Sequence, residues 1–131
     1  MKKPTSGFTV IELIFIALIF GVASVFFFIQ KNNLEVIAHD DAKKTAINAM
    51  YYSLEEVFFA TNGYYPTTIS SDNLKTMDPA LFTDPNDIKL GTAGSSYSYT
   101  PTNCTDDKCK SYTLRATLEN EDDFVKTSKN K

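Results

Sequence analysis

The most restrictive feature of the sequence is an apolar run from Val10 to Ile29, which reads VIELIFIALIFGVASVFFFI and holds Glu12 as its single charge. Counted from Phe8, a helix of this segment spans roughly 33 Å at 1.5 Å per residue. A hydrocarbon core is about 30 Å thick, so such a helix is long enough to cross it. The sequence therefore predicts a membrane helix at residues 8–29, followed by a more polar domain at 30–131.

The flanking charges predict how the helix is oriented. Lys2 and Lys3 directly precede it, whereas Lys31 on the far side is offset by acidic residues. Lys and Arg are retained on the cytoplasmic side, which places the N-terminus in the cytoplasm and the domain outside. A secretory signal peptide fits less well, because the nearest small-residue cleavage site, residues 22–24, lies inside the apolar run.

Glu12 is not explained by a simple membrane anchor. A carboxylate costs on the order of 2.5–3.5 kcal/mol at mid-membrane, and less near the edge. A buried carboxylate requires a cationic partner, and this helix offers none. We therefore expect Glu12 to have no partner within its own helix and to serve a function beyond anchoring.

Residues 2–13, KKPTSG followed by FTVIEL, resemble the leader and mature start of a type IV prepilin, a family that includes the pseudopilins of type II secretion. The resemblance lies in the short basic leader ending at Gly7, the aromatic Phe8, Glu12 and the apolar helix. It implies that a prepilin peptidase removes the leader, residues 1–7, by cutting between Gly7 and Phe8. It also implies that the new amino group of Phe8 is methylated.

The resemblance further implies a partner for Glu12, namely the Phe8 amine of an adjacent subunit, which would set the axial register during assembly. The implied partners are identical or related pilin subunits, the prepilin peptidase, an assembly platform protein with its ATPase, and the membrane. The chain would first reside in the cytoplasmic membrane and then in an extracellular pilus or a periplasmic pseudopilus. Nucleic acid is not an expected partner, except DNA in a competence pilus.

The apolar run continues into an amphipathic helix. Apolar side chains recur at helical spacing at Leu34, Ile37, Ala38, Ala42, Ala46, Ala49, Met50, Leu54, Val57 and Phe58. The charged residues assigned mostly to the other faces are Lys31, Glu35, Asp40, Asp41, Lys43, Lys44 and Glu55. Asn62-Gly63 and Pro66 end the pattern, so we expect one helix over about residues 8–60. Tyr64-Tyr65-Pro66 resembles the turn after the helix in many pilins.

The rest of the chain predicts a small sheet. Residues 95–100 and 112–118 alternate as half-buried strands, and Phe124-Val125 suggests an edge strand. Residues 72–77 are expected to form a short helix, with turns at Asp78-Pro79 and Asp84-Pro85. The predicted fold is α+β: a long N-terminal α-helix, with a membrane-spanning first half, packed against a small antiparallel β-sheet head.

Cys104 and Cys109 are predicted to form a disulfide that fixes the tip of a hairpin. Outside the membrane the two thiols meet an oxidising compartment. A redox pair is the alternative, but the spacing is not C-x-x-C and no βαβ pattern surrounds it.

Composition removes several functional classes. With 13 basic and 16 acidic residues the chain has no broad nucleic-acid footprint, and no nucleophile–base pair or phosphate loop is visible, so no enzyme is expected. His39 is expected to be an exposed spacer, and no cofactor is expected. The loops offer carboxylates of the kind that calcium favours, although they lack EF-hand spacing: Asp72, Asp78, Asp84, Asp87, Asp106, Asp107, Asp122 and Asp123. A small basic patch for DNA uptake or adhesion is a weaker alternative, formed by Lys108, Lys110, Lys126, Lys129 and Lys131.

Three functions follow as hypotheses. The first is a structural subunit of a type IV pilus-like filament, as a major or minor pilin. The second is a type II secretion pseudopilin, and the absence of a proline from residues 8–29 keeps minor pilin and pseudopilin open. The third, from another class, is a membrane-tethered extracytoplasmic binding module that never polymerises.

Overall fold

The computed structural model describes residues 7–130 in two compact units, one ending at Glu35 and the other beginning at Val36. The predicted leader, apart from Gly7, and Lys131 lie outside these residues. The first unit is the apolar part of helix α1, which spans Val10–Tyr52. Every large apolar side chain between Phe8 and Ile29 is between 38% and 75% exposed. This is the one helix in the described residues that is long and apolar enough to cross a membrane.

The helical stretch continues beyond α1 without a break. Ser53–Phe59 is π-helical, and Ala60–Asn62 forms the last α-helical turn. Gly63 ends it in the left-handed conformation with φ +74°, which a residue without Cβ adopts at little cost. The predicted helix over about residues 8–60 is therefore confirmed, apart from the change to π geometry. After it, Tyr65 folds back and stacks on Phe59, with ring centroids 4.7 Å apart.

A four-stranded antiparallel sheet forms the other layer of the second unit. Strands β2, Tyr97–Thr105, and β3, Lys108–Ala116, form a hairpin. Strands β1, Tyr65–Pro66, and β4, Phe124–Thr127, both pair with the opposite edge of β3. Strand β3 is therefore central and β2 is an outer strand. The predicted α+β fold of one long helix and a small antiparallel sheet is confirmed.

The core lies between the second half of the helix and the sheet. Helix residues Ala46, Ile47, Met50 and Leu54 are at most 1% exposed. On the sheet side the buried set includes alternate residues of β3, as its sequence pattern predicts: Tyr112, Leu114 and Ala116. The connection between β1 and β2 contributes four further core side chains: Ile69, Leu74, Met77 and Phe82.

The short helix predicted over residues 72–77 is wrong. This stretch forms isolated turns, because the Asn73 side chain accepts from Ser70 N–H at 2.9 Å and donates to the Thr68 carbonyl at 2.6 Å. Such side-chain bonds compete with the helical ladder. A 3₁₀ turn forms instead at Pro79–Phe82, where the Asp78 carboxylate caps Ala80 N–H at 2.9 Å.

The predicted division of helix faces is also partly wrong. Leu34 and Ile37, expected on the packed face, are 65% and 50% exposed, and Ala38 and Ala42 are exposed as well. Conversely, three of the charged residues expected on the outer faces are buried: Asp40, Lys43 and Glu55. The helix buries these charges because distant segments of the chain supply their hydrogen-bond and ion-pair partners.

Candidate functional site

The predicted cleavage bond lies in a short non-helical segment before α1. Gly7 and Phe8 precede the helix, and Phe8 is 72% exposed. A Cβ added to Gly7 meets no atom within 4 Å among the described residues, so nothing there crowds its backbone. The peptide bond between Gly7 and Phe8 is therefore sterically accessible.

Glu12 takes part in the N-terminal cap of helix α1. Its Oε2 accepts a hydrogen bond from the Thr9 backbone N–H at 3.2 Å, while its own N–H donates to Thr9 Oγ1 at 3.4 Å. This reciprocal pair is a capping box of the T-x-x-E type, which satisfies N–H groups that otherwise lack helical partners. The expectation that Glu12 has no partner in its own helix is thus wrong, although that partner is not a cation.

The cap leaves part of the Glu12 carboxylate unused. Among residues 7–130, Oε1 of Glu12 accepts no hydrogen bond and no Lys, Arg or His lies within ion-pair distance. Thr9 lies on the mature side of the predicted cleavage bond, so the capping box does not depend on the leader. Glu12 can therefore cap its own helix through one oxygen and bind an external cation through the other.

The disulfide between Cys104 and Cys109 is present, as the sequence predicts. The two residues face each other in the register of β2 and β3, next to the hairpin turn. Asp106 and Asp107 form this turn with φ values of 50° and 62°, the combination that a two-residue type I′ connection requires. The bond therefore clamps the tip of the hairpin.

Of the eight candidate calcium ligands, three have local structural partners: Asp78, Asp84 and Asp123. Within residues 7–130, no three His, Cys, Asp or Glu side chains are grouped as a metal site. Asp78 caps the 3₁₀ turn, and Asp123 lies 3.4 Å from the Arg115 guanidinium. These carboxylates act in separate parts of the head.

Three of the basic residues and the histidine each have a separate local contact. Lys108 lies over the Tyr64 ring at 5.3 Å, and Lys126 lies over Tyr51 at 5.5 Å. Lys129 forms an ion pair with Glu56. His39, expected to be an exposed spacer, is 40% exposed, with Nδ1 3.7 Å from Glu119 Oε1. Each of these groups thus has its own local contact.

Sequence reasoning missed a buried carboxylate in the π-helical segment. Glu55 is 6% exposed, and its Oε1 accepts from Tyr112 Oη at 2.8 Å and from Lys129 N–H at 3.2 Å. Tyr65 Oη donates to Oε2 at 3.0 Å. Burial, together with the Glu55 carboxylate, raises the pKa of Tyr65 and of Tyr112, which keeps both hydroxyls protonated as donors.

A second missed network ties the β3–β4 connection to helix α1. The buried carboxylate of Asp40 accepts from the backbone N–H groups of Glu119 and Asn120, at 2.8 and 3.0 Å. Lys43 is 2% exposed, and its Nζ lies 2.9 Å from Glu119 Oε1 and 3.7 Å from Asp40 Oδ1. The i, i+3 spacing of Asp40 and Lys43 is the one local signal that identifies them as a pair.

Asp84 organises the loop before β2. Its Oδ1 accepts from the N–H groups of Asn86 and Ile88, at 3.0 and 2.9 Å, and its Oδ2 accepts from Ser96 N–H at 2.8 Å. Burial by itself raises the pKa of Asp84, but the three backbone donors outweigh it and hold the pKa below its usual value. Asp40 follows the same pattern. Its burial raises the pKa, but the backbone donors of Glu119 and Asn120 lower it by more. Both carboxylates stabilise the fold in their charged form.

We expect acid to destabilise the head through these two carboxylates. Because their folded pKa values are lowered, their contribution is present above the usual aspartate pKa and is lost as pH falls through the folded pKa. Asp84→Asn should cost about 1–3 kcal/mol at neutral pH, since its amide N–H₂ faces the Ser96 donor. The free energy of unfolding of this variant should also fall less steeply below about pH 4 than that of the parent chain. Urea unfolding from pH 7 to pH 2 measures both effects.

The exposed Asp72, whose carboxylate accepts no hydrogen bond within residues 7–130, provides the matched control. Asp72→Asn should leave the acid slope of the parent chain unchanged. A slope in Asp84→Asn as steep as that of the parent would contradict the role given to Asp84.

Taken together, the described residues hold an exposed apolar helix, a capped carboxylate at its start, and a head joined by a disulfide and buried polar networks. The geometry of these features carries the functional argument. Comparisons of the chain with protein-family models, with curated proteins and with solved structures find no significant match.

Proposed function

We propose that this chain is a structural subunit of a type IV pilus-like filament, processed by a prepilin peptidase and assembled through its N-terminal helix. The observation that carries the proposal is the combination of an apolar helix exposed on all faces with one carboxylate, Glu12, at its start. A tether accounts for the apolar surface, and the capping box accounts for Oε2 of Glu12, but neither uses the free Oε1. A helix that moves from lipid into contact with other helices can use this oxygen as well as the apolar surface.

The exposed surface of the apolar segment supports such an assembly. Large side chains from Phe8 to Ile29 point in all directions around the helix and are exposed. Removing one such side chain from water contributes about 1.5–3 kcal/mol. The membrane provides this burial for a single subunit, and the helices of neighbouring subunits provide it within a filament.

Glu12 supplies the positional signal that apolar contacts lack. The proposed partner of its free Oε1 is the amine of Phe8 in an adjacent subunit, created by cleavage after Gly7. Apolar packing tolerates sliding along a helix, whereas a charge pair at low dielectric strongly disfavours a carboxylate left unpaired. The pair would therefore select one axial step between subunits.

The head fits an extracytoplasmic, non-enzymatic role. The Cys104–Cys109 bond belongs in an oxidising compartment, which supports placing the head outside the membrane. The absence of proline from residues 8–29 favours a minor pilin or a type II secretion pseudopilin over a major pilin. The partners proposed are related pilin subunits, the peptidase, and an assembly platform with its ATPase.

N-terminal processing provides the test of this proposal. Protein recovered from its native host should begin at Phe8 with a methylated amino group, as read by mass spectrometry of the N-terminal peptide. Gly7→Val should leave the leader attached, since it places a branched side chain beside the scissile bond. A mature terminus near Ala23 would instead indicate an ordinary signal peptide and contradict the proposal.

A further inference from the structure

Some backbone N–H and carbonyl groups of the outer strand β2 point away from the sheet. Thr117 N–H donates to the Ser96 carbonyl at 2.8 Å, so Ser96 and Thr117 form a hydrogen-bonded pair. Such pairs alternate with non-hydrogen-bonded pairs along an antiparallel ladder. In the observed register, Tyr97, Tyr99 and Pro101 therefore direct their backbone polar groups away from β3.

Two observations agree with this assignment. Pro101 has no N–H, so it fits a position that donates nothing to β3. On the far side of β3, Tyr112 lies at an outward position of the same register, and there its carbonyl accepts from Ser128 N–H at 3.1 Å. The free edge of β2 is thus bracketed by Pro101 at one end and by Tyr97, whose N–H donates to Ser95 Oγ at 3.2 Å, at the other.

Between these two limits, Tyr99 leaves both of its backbone groups open. In this register its N–H and carbonyl point away from β3, and neither bonds to a loop or a side chain among residues 7–130. Its hydroxyl donates to the Pro66 carbonyl at 2.6 Å. The side chain is therefore fixed and the backbone is not. In an antiparallel ladder, two opposite residues can exchange both of their backbone hydrogen bonds. The free N–H and carbonyl of Tyr99 can therefore both pair with one residue of an added strand.

A groove of about 550 Å³ runs beside this edge. Its walls are residues 67–69 and the loop at 90–95, and β2 forms its third side through residues 97–99. None of its lining residues is charged, although the chain has 13 basic and 16 acidic residues. Ile69, Leu90 and Tyr97 supply apolar surface. Strand β2 itself, YSYTPTNCT, also contains no charge.

We propose that this groove, which we term the β2 groove, binds an extended, uncharged peptide segment of another protein by strand addition at Tyr99. The free N–H and carbonyl of Tyr99 are the groups that an added strand pairs with. The uncharged lining makes a charged side chain in the groove costly, because it would lose water without gaining a partner. The inference does not depend on filament assembly.

A second copy of this chain fits the edge less well. Edge-to-edge pairing of two whole β2 strands would meet Pro101, which cannot donate, and the walls at 67–69 and 90–95 flank the open edge. A single extended peptide enters between these walls without carrying a sheet of its own. Only a short window of backbone is available, so we expect micromolar or weaker affinity, with side-chain contacts to the groove adding to the backbone pairing.

Titration of the full chain in detergent micelles with synthetic peptides tests the proposal. The probe is a blocked heptapeptide of alternating threonine and valine, and binding is followed through the Tyr99 amide resonance. Thr92→Glu places a charge in the groove and should weaken binding by roughly tenfold or more. Thr127→Glu makes the same change on exposed β4 and should leave binding within about twofold.

Two modified peptides give the decisive comparisons. Methylation of the central backbone nitrogens should abolish binding, because it removes the donor that pairs with the Tyr99 carbonyl. Replacement of the threonines by glutamates should weaken binding as much as Thr92→Glu does. Equal binding of the N-methylated peptide, no binding of the neutral peptide, or self-association of the chain through Tyr99 would each overturn the proposal.

Discussion

Glu12→Gln is expected to reduce the filament-associated share of the subunit by roughly tenfold or more, while insertion and leader cleavage continue. Losing a membrane charge makes insertion easier, and the leader and Gly7 are unchanged. What is lost is the ion pair proposed between Glu12 and the Phe8 amine of a neighbour. The measurement is the ratio of filament-associated to membrane-associated subunit at matched expression.

The capping box makes this substitution a clean test of charge. Glutamine also serves at N3, the position that Glu12 occupies in the capping box. Glu12→Gln therefore keeps an acceptor for the Thr9 N–H, which now lies 3.2 Å from Oε2. The matched control is Thr9→Ala, which removes the Oγ1 acceptor of the capping box but keeps the carboxylate and the backbone N–H that bonds to it. It should cost the helix about 0.5–2 kcal/mol and leave filament incorporation largely intact. An unchanged ratio in Glu12→Gln would show that the charge does not guide assembly and would favour the tethered module.

Glu55→Ala is expected to destabilise the head by about 3–5 kcal/mol. The change removes the acceptor of three donors at once: the hydroxyls of Tyr65 and Tyr112 and the N–H of Lys129. Each buried donor left unpaired costs about 1–3 kcal/mol, and the vacated volume adds a cavity. This is a large part of the 5–15 kcal/mol by which domains are typically stable.

The adjacent Glu56 provides the control for Glu55. Its ion pair with Lys129 is solvent-exposed, with side-chain exposures of 48% and 55%, so Glu56→Ala should cost less than about 1 kcal/mol. Urea unfolding of the full chain, followed by tyrosine fluorescence, reports both values. Similar costs for the two variants would contradict the structural role given to the buried cluster.

The parts of the fold that follow from local pattern were predictable. The helix over residues 8–60 and the hairpin around Cys104 and Cys109 rest on periodicity, turn residues and spacing, all of which lie within short windows of sequence. The capping box at Thr9 and Glu12 was also within reach, because the T-x-x-E pattern is local. The cost of a charge in an apolar segment obscures this role in the sequence, whereas the position of Glu12 in the first helical turn indicates it.

The buried charges depend on long-range partners, and a local pattern cannot provide those. Lys43 is buried because Glu119, 76 residues later, places a carboxylate beside it. Glu55 is buried because Tyr112 and Lys129 lie 57 and 74 residues further along the chain. The free edge at Tyr99 likewise depends on which strands flank β3. None of these pairings is encoded by helical or strand spacing alone.

The attachment of Lys129 to the helix sets the order in which the head closes during synthesis. Glu55 is synthesised long before Lys129, which follows it by 74 residues. Strand β3 also lacks its β4 partner until residues 124–127 have emerged. Contacts this distant in sequence form late, because the intervening loop must close first. The tyrosine core of the head therefore stays open to solvent until residues 124–130 are in place, and the head closes only in the last steps of folding.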